Sequence, residues 1–421
     1  MSTTQTPSCP IGSIGERFNP LGGEQLADPY PFYAEARGSE PVFFSPALQM
    51  WVVTTYRHTR AVLADPGLFS SWDSLNSIVE LCPEASAVLT TGLAVEHWAT
   101  NTDEPAHGRW RRTFNPVFQS ANQRLGQQIR EITRKRLDAL APLGRADVLS
   151  DLGYPIPLQV IARLCDVGDE HLPDLARWGR NWLTLFSSAA DPATQVEAAR
   201  VYIEYQQFLR AHLDRKRAEP GGDFVSAMIT GGGDEPFSES EIVTAFVNVF
   251  VAGHDTTAHL IGNAVYQLLV EPSRWRKVVA DPSLIPAAVE EVLRIDPPVP
   301  TFIRTATANT TLAGHDIAKG DTVLVVYASA NRDAEQFDDP TSFDLDRKNG
   351  SQHLSFGHGI HYCVAASLAR LEARVVLEAL AERMPDLRLV PDQEFRHLPT
   401  LIIRGFERIE VEWDVPATRA T

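Results

Sequence analysis

The 421-residue chain carries 38 Lys plus Arg against 54 Asp plus Glu, a formal net charge of −16, with 44% apolar and 22% charged residues. That composition suits a globular protein with a sizeable core and excludes a wholly disordered chain. Excess negative charge repels phosphate backbones and gives no long-range attraction to anionic lipid, so neither nucleic acid nor a membrane surface is an expected partner.

Residues 1–12 hold no basic start and no apolar stretch, which predicts no signal peptide or anchor and a cytoplasmic protein; 1–18 is expected to be a flexible terminus. Strand-like β-branched and aromatic content marks 42–54, and later 301–317 and 322–326. Apolar residues at three- and four-residue spacing predict helices over 122–140, 158–164, 195–217, 239–270, 286–295 and 365–384. The fold class is therefore mainly α with small peripheral β-sheets. The Pro- and Gly-containing breaks at 220–222 and 231–233 are too short to separate domains and no internal repeat is present, so one domain over 1–421 is expected.

The longest predicted helix opens with Ser238 and Glu241 at capping-box spacing. It would span roughly 45 Å at about 1.5 Å per residue. Its apolar run is interrupted by Gly253, His254, Asp255, Thr256 and Thr257. Gly costs about 1 kcal/mol mid-helix relative to Ala, and Asp and Thr compete for backbone hydrogen bonds. A solvated patch is the plain alternative, but flanking Phe250, Val251, Ala252 and Leu260 predict burial, and a local rule broken inside a strong helix points to function.

Cysteines stand at 9, 82, 165 and 363 with no C-x-x-C pair, so free thiols are expected. Cys165 sits in an apolar helical stretch and Cys9 in the terminus; both read as inert. Cys363 differs, because Phe356, Gly357, Gly359, His361 and Cys363 lead directly into an apolar helix. A helix N-terminus favours a thiolate, and the two glycines permit a tight turn against a flat ligand. A dinucleotide-binding loop is the rival, but Tyr362 replaces the third glycine and no β-α-β unit follows.

The segment 356–363 resembles the haem-binding F-G-x-G-x-H-x-C signature of the cytochrome P450 superfamily at every defined position. The likeness extends in family order through Gly253–Thr256, Glu291–Arg294, Ala330–Asp333 and Phe343–Arg347. It implies the P450 fold with a long oxygen-binding helix, and haem b ligated by the Cys363 thiolate. The implied activity is insertion of one oxygen atom from O2 into a small hydrophobic or aromatic substrate, by hydroxylation or oxidative dealkylation. Asp255 and Thr256 correspond to the family's acid–alcohol pair, which delivers protons during O–O cleavage. His107, Arg111, Arg304 and His361 are the implied partners of the haem propionates. Glu291, Arg294 and Arg347 are implied as a structural network. Trp72, Leu75, Trp98, Phe186, Val249, Ala252, Val299, Phe302 and Leu401 are the implied pocket, although each could equally be core.

Ala365 stands where the family usually has glycine, so tighter packing is expected there. The tail around 390–405 resembles haem domains of bacterial self-sufficient monooxygenases. With the sequence ending at Thr421, electrons are expected from a separate ferredoxin and NAD(P)H-dependent reductase, docking on Arg109, Arg111 and Arg112. A peroxide-driven enzyme and a non-catalytic haem sensor are the alternatives; retained Asp255 and Thr256 argue against both.

Overall fold

The computed structural model describes residues 13–75, 81–187 and 190–415. They form two compact units, each assembled from separate stretches of chain: described residues within 13–74, 287–363 and 395–407 in the first, and within 75–286, 364–394 and 408–415 in the second.

The first unit is built on a five-stranded sheet ordered Val42–Ser45, Met50–Val53, Thr322–Val326, Thr301–Ala306 and Phe69–Ser70. Met50–Val53 pairs antiparallel with Val42–Ser45 and parallel with Thr322–Val326, the register setting Trp51 opposite Val323 and Val53 opposite Val325. Alternate residues of a strand face opposite sides. Val42, Trp51, Val53, Val323 and Val325 accordingly enter one apolar cluster, and Phe43, Val52, Leu324 and Val326 the other. Covered on both faces, these strands read as near-continuous apolar runs.

The second cluster corrects the expected flexible terminus. Ile14–Arg17 is a helical turn and Phe18 is buried, its ring stacked on Phe32 at 5.5 Å and edge-on to Phe43 at 5.6 Å. An aromatic side chain buried in such a cluster contributes about 1.5–3 kcal/mol, enough to order one short turn. Residues 1–12, including Cys9, lie outside the described part.

The second unit is helical, with a three-stranded sheet Arg145–Asp147, Glu410–Glu412 and Arg388–Leu389. Its main helices are Ala106–Leu140, Pro155–Leu164, Leu172–Ser187, Pro192–Ala218, Glu239–Leu269 and Ala366–Arg383. Most agree with the periodicity to within three residues. The helix expected over 122–140 begins sixteen residues earlier, at Ala106, and runs through Pro116. An internal proline removes one helical hydrogen bond, and apolar Trp110, Phe114, Val117 and Phe118, all buried, hold the segment across it. The Glu239–Leu269 helix opens on the predicted capping box: the Ser238 hydroxyl accepts from the Glu241 amide at 3.2 Å, and the Ser238 amide donates to Glu241 Oε2 at 2.7 Å.

No helix among the described residues is long and apolar enough to cross a membrane.

Candidate active site

Within the first unit, the 356–363 loop is a chain of tight turns. The Gly357 amide donates to Leu354 O at 2.8 Å, Tyr362 N to Gly359 O at 3.1 Å, and Cys363 N to Phe356 O at 2.9 Å. Gly357 and Gly359 both adopt φ +74°, where L side chains are strained. A Cβ at Gly359 would also stand 2.6 Å from Leu63 O, so only glycine lets this turn lie against the Tyr56–Ala64 helix.

The loop is braced from behind. Leu354 N donates to Asn331 Oδ1 at 2.7 Å, Asn331 Nδ2 to Ser355 Oγ at 2.8 Å, and Ser355 Oγ to Leu293 O at 2.6 Å. Leu293 belongs to the Ile285–Ile295 helix, which carries Glu291 and Arg294. The fully buried Arg294 makes a bidentate pair with Glu291 at 2.7 and 2.8 Å, and donates to the carbonyls of Asn331, Pro340 and Ser342. Arg347 Nε and the Asp344 amide both reach Glu291 Oε1, at 3.0 and 2.9 Å. Burial alone would raise the Glu291 carboxyl, but hydrogen bonds from Arg294, Asp344 and Arg347 outweigh it and hold the group below its ordinary range. The three network residues are thus brought together, tied to the backbone that precedes the cysteine loop.

Three cysteines are described, all outside disulfides. Cys165 is fully buried, and burial pushes its thiol well above the ordinary range, as it would for any inert core thiol. Cys82 caps the Pro83–Leu89 helix, its sulfur accepting from Ala85 N at 3.4 Å. Cys363 is half-buried at the end of the glycine turns, two residues before Ala365, the N-cap of Ala366–Arg383. The thiol therefore precedes the helix rather than opening it. Ala365 has φ −89° and ψ 7°, a conformation open to any residue, so the usual glycine is not required for backbone reasons.

Of the other residues in this unit, His361 lies in the Gly359–His361 turn and is half-buried. Arg304 is buried on Thr301–Ala306, its guanidinium 5.3 Å from the centre of the Phe302 ring. Its charge acts on the buried Tyr327 hydroxyl, which lies near Gly357. Val299 and Phe302 pack on one apolar cluster, and buried Leu401 accepts from Thr301 Oγ1 at 2.6 Å. Trp72 is 48% exposed.

In the second unit, the Glu239–Leu269 helix is buried over 242–251 and 257–265, but Ala252 is exposed and Gly253, Asp255 and Thr256 are half-buried. An apolar helix opens at the turn that carries its polar residues. Gly253 has a packing reason: a Cβ there would meet Ile161 Cδ1 at 2.8 Å, so glycine admits the Pro155–Leu164 helix. Thr256 Oγ1 donates to Ala252 O at 2.7 Å. Burial pushes the Asp255 carboxyl up to about 7 against a weaker opposing pull from Arg180. His254, buried beside it, has Nδ1 3.9 Å from Asp255 Oδ1 and is pushed down by burial to about 4. The sequence reading missed Tyr154, whose ring lies edge-on to His254 at 5.5 Å. An aromatic residue opening an apolar helix carries no sequence signal of that contact.

His107 is buried four residues before half-buried Arg111, with Nδ1 3.3 Å from Glu104 Oε1; burial lowers its pKa, and Glu104 offsets this in part. Arg109, expected to be a free docking charge, is instead engaged. It pairs with Glu241 at 2.6 Å, donates to Glu235 O at 2.9 Å and lies 3.9 Å over the Phe237 ring. Arg112 is exposed. Of the remaining pocket residues, Trp98 and Val249 are buried and Leu75 is half-buried, while the Phe186 side chain lies outside the described part.

The glycine cradle ends in a half-buried free thiol, which fits a flat cofactor with one axial protein ligand. Residues 194–385 match the family model described as Cytochrome P450. The chain is 37% identical over 422 residues to the cytochrome P450 monooxygenase PikC of Streptomyces venezuelae, covering 98% of this chain and 96% of that one. The chain belongs to the cytochrome P450 family. As a P450 it is a haem-thiolate monooxygenase, with haem b held through a cysteine thiolate and electrons supplied by a redox partner. Among solved structures, it superposes on the P450 haem domain of Tepidiphilus thermophilus with a TM-score of 0.91 at 32% identity, covering 95% of this chain and 97% of that one. Superposition on an intact type IV self-sufficient P450 monooxygenase gives a TM-score of 0.91 at 34% identity. The match covers 96% of this chain but 54% of that one, so the chain spans about half the length of the self-sufficient enzyme.

Proposed function

We propose that residues 1–421 act as one catalytic haem domain in which Cys363 is the axial thiolate and Asp255 and Thr256 deliver protons. The observation that carries this reading is the turn of the Glu239–Leu269 helix where half-buried Asp255 and Thr256 interrupt a buried apolar run, and where burial pushes the Asp255 carboxyl up to about 7. A general acid is most effective when its pKa lies near the working pH, because it is then both protonated and able to release its proton. When bound, the haem supplies dioxygen binding and oxygen transfer, assisted by thiolate donation.

The chain's own residues do the rest. The glycine turns present the Cys363 sulfur, and the Glu291–Arg294–Arg347 network keeps that loop from shifting. His107, Arg111, Arg304 and His361 hold the propionates, whose burial requires cationic or hydrogen-bonding partners. Trp72, Leu75, Trp98, Phe186, Val249, Ala252, Val299, Phe302 and Leu401 enclose a small hydrophobic or aromatic substrate. A separate ferredoxin and NAD(P)H-dependent reductase supply electrons in the cytoplasm, docking at Arg111 and Arg112; the ion pair of Arg109 with Glu241 removes Arg109 from that set.

The test is a screen of small aromatic and aliphatic compounds for low-to-high-spin conversion of the ferric protein, followed by turnover of each hit. Compounds that convert the spin state and give product in step with NAD(P)H consumption support the reading. Spin-state hits that are turned over only with added peroxide would assign a peroxygenase instead, and hits with no turnover under either condition a sensor.

A further inference from the structure

An unusual piece of backbone packs on the helix that carries Asp255. Leu149–Gly153 is a π-helical turn, closed by the Tyr154 amide donating to Leu149 O at 2.8 Å. Such turns are rare and occur frequently at functional sites. This one lies directly on the Glu239–Leu269 helix. A Cβ at Gly153 would meet Ala258 O at 3.1 Å, and one at Gly262 would meet Leu149 Cδ2 at 2.7 Å. The close approach delivers Tyr154 between two buried histidines. Its hydroxyl is 3.2 Å from His259 Nε2, and its ring lies edge-on to His254 at 5.5 Å and to His259 at 5.7 Å. His254 in turn faces Asp255.

We infer that Tyr154 is a positioning residue for proton delivery, acting on Asp255 through His254: it fixes and dries the His254 imidazole so that Asp255 has a neutral neighbour instead of a counter-charge. The inference rests on the proposed role of Asp255. On His254 burial dominates; a hydrogen bond to the Tyr154 backbone pulls the other way, and His259 and Arg180 of the Leu172–Ser187 helix add to the lowering, while Arg180 alone opposes burial at Asp255. Burial lowers both histidines to about 4, so both are neutral at pH 7. Burial and the charges of Asp255 and Asp147 raise the Tyr154 hydroxyl to about 12, so it keeps its proton. Shortening Tyr154 would open the space around His254 to water and let the imidazole protonate. A cation within about 4–6 Å lowers a carboxyl pKa by one to three units, so Asp255 would be a carboxylate at neutral pH and a poor proton donor.

Two readouts on the haem-loaded protein test this. One is the pH profile of substrate-saturated turnover with excess donor. The other is the infrared C=O stretch of the protonated Asp255 carboxyl, identified as the band that Asp255→Asn removes. For Tyr154→Ala, the falling limb of turnover and the midpoint of the infrared band should both move to lower pH, by about one unit or more. Tyr154→Phe, which keeps the ring and loses the hydroxyl contact with His259, should move both in the same direction by less. In a His254→Phe background Tyr154→Ala should have no further effect on either midpoint. A shift of the same size in that background, or unchanged midpoints in both Tyr154 variants, overturns the inference. Failure of the Asp255 reading looks different, since Asp255→Asn itself would then keep wild-type turnover and coupling. If Tyr154→Ala loses haem, Tyr154→Phe and His254→Phe with their double variant decide the outcome by the same comparison.

Discussion

Glu291 and Asp255 are both enclosed acids on apolar helices, and the protein treats them in opposite ways. Glu291 is met by two guanidinium groups and a backbone amide, which hold it ionised. Asp255 is met by a neutral imidazole at 3.9 Å and by Arg180 acting too weakly to offset burial, so its carboxyl rises to about 7. Pairing turns the first acid into a fixed part of the frame. Burial without pairing leaves the second able to gain and lose a proton near neutrality, and the same contrast separates a structural site from a chemical one.

The sharpest way to break the comparison is to remove a partner from the paired acid. Arg294→Ala leaves Glu291 buried with much of its compensation gone, and breaking such a pair costs about 3–5 kcal/mol. Chemical denaturation should register that loss, accompanied by weakened haem retention. Because Glu291 lies below its ordinary pKa in the folded state, its stabilising contribution is present above the unfolded pKa and fades as pH falls through the folded one. A stability unchanged by Arg294→Ala would mean the network is ornamental.

Next in size is the chemical effect at the unpaired acid. Asp255→Asn should slow turnover roughly a hundredfold while leaving the substrate-induced spin shift intact. Thr256→Ala should instead divert electrons to hydrogen peroxide, read as a fall in product formed per NAD(P)H consumed. If both variants kept the wild-type rate and coupling, that would falsify proton delivery by this pair.

A smaller effect sharpens the contrast thermodynamically. A carboxyl whose folded pKa lies near 7 and whose unfolded pKa lies near 4 binds more protons when folded, so its burial increasingly destabilises the protein as pH rises between those values. Asp255→Asn should therefore gain on the wild type by about 2 kcal/mol between pH 5 and pH 7, measured by urea denaturation. A gap that narrowed with rising pH would contradict the unpaired state of Asp255.

The smallest effect concerns surface charge. Arg109→Glu should cost about 1 kcal/mol of stability by opposing Glu241, with little change on adding salt. Arg112→Glu should slow reduction by the donor mainly at low ionic strength, where charge steering is least screened. Stopped-flow reduction of both variants across salt concentrations separates the two.

Much of this was legible in the sequence because the decisive features are local. The capping box at Ser238, the glycines at 357 and 359, the Glu291–Arg294 spacing and the polar break at 253–257 each announce a specific physical need. What escaped depends on contacts between distant segments. Pro116 hid the continuity of the single helix Ala106–Leu140 because propensity cannot see the aromatic residues that hold it. Tyr154 gave no signal because its value lies in a π-helical turn seated on another helix. Arg109 looked like a free cation because Glu241, 132 residues later, is its partner only in three dimensions. Gly253 looked purely functional, whereas the approach of Ile161 explains it.

The most direct test of the whole account is the optical spectrum of the reduced protein with carbon monoxide. Thiolate ligation through Cys363 predicts the strongly red-shifted band in the wild type and in Cys9→Ala, Cys82→Ala and Cys165→Ala, and its loss in Cys363→Ala. Retention of that band in Cys363→Ala, or its loss on replacing Cys165 alone, would contradict it.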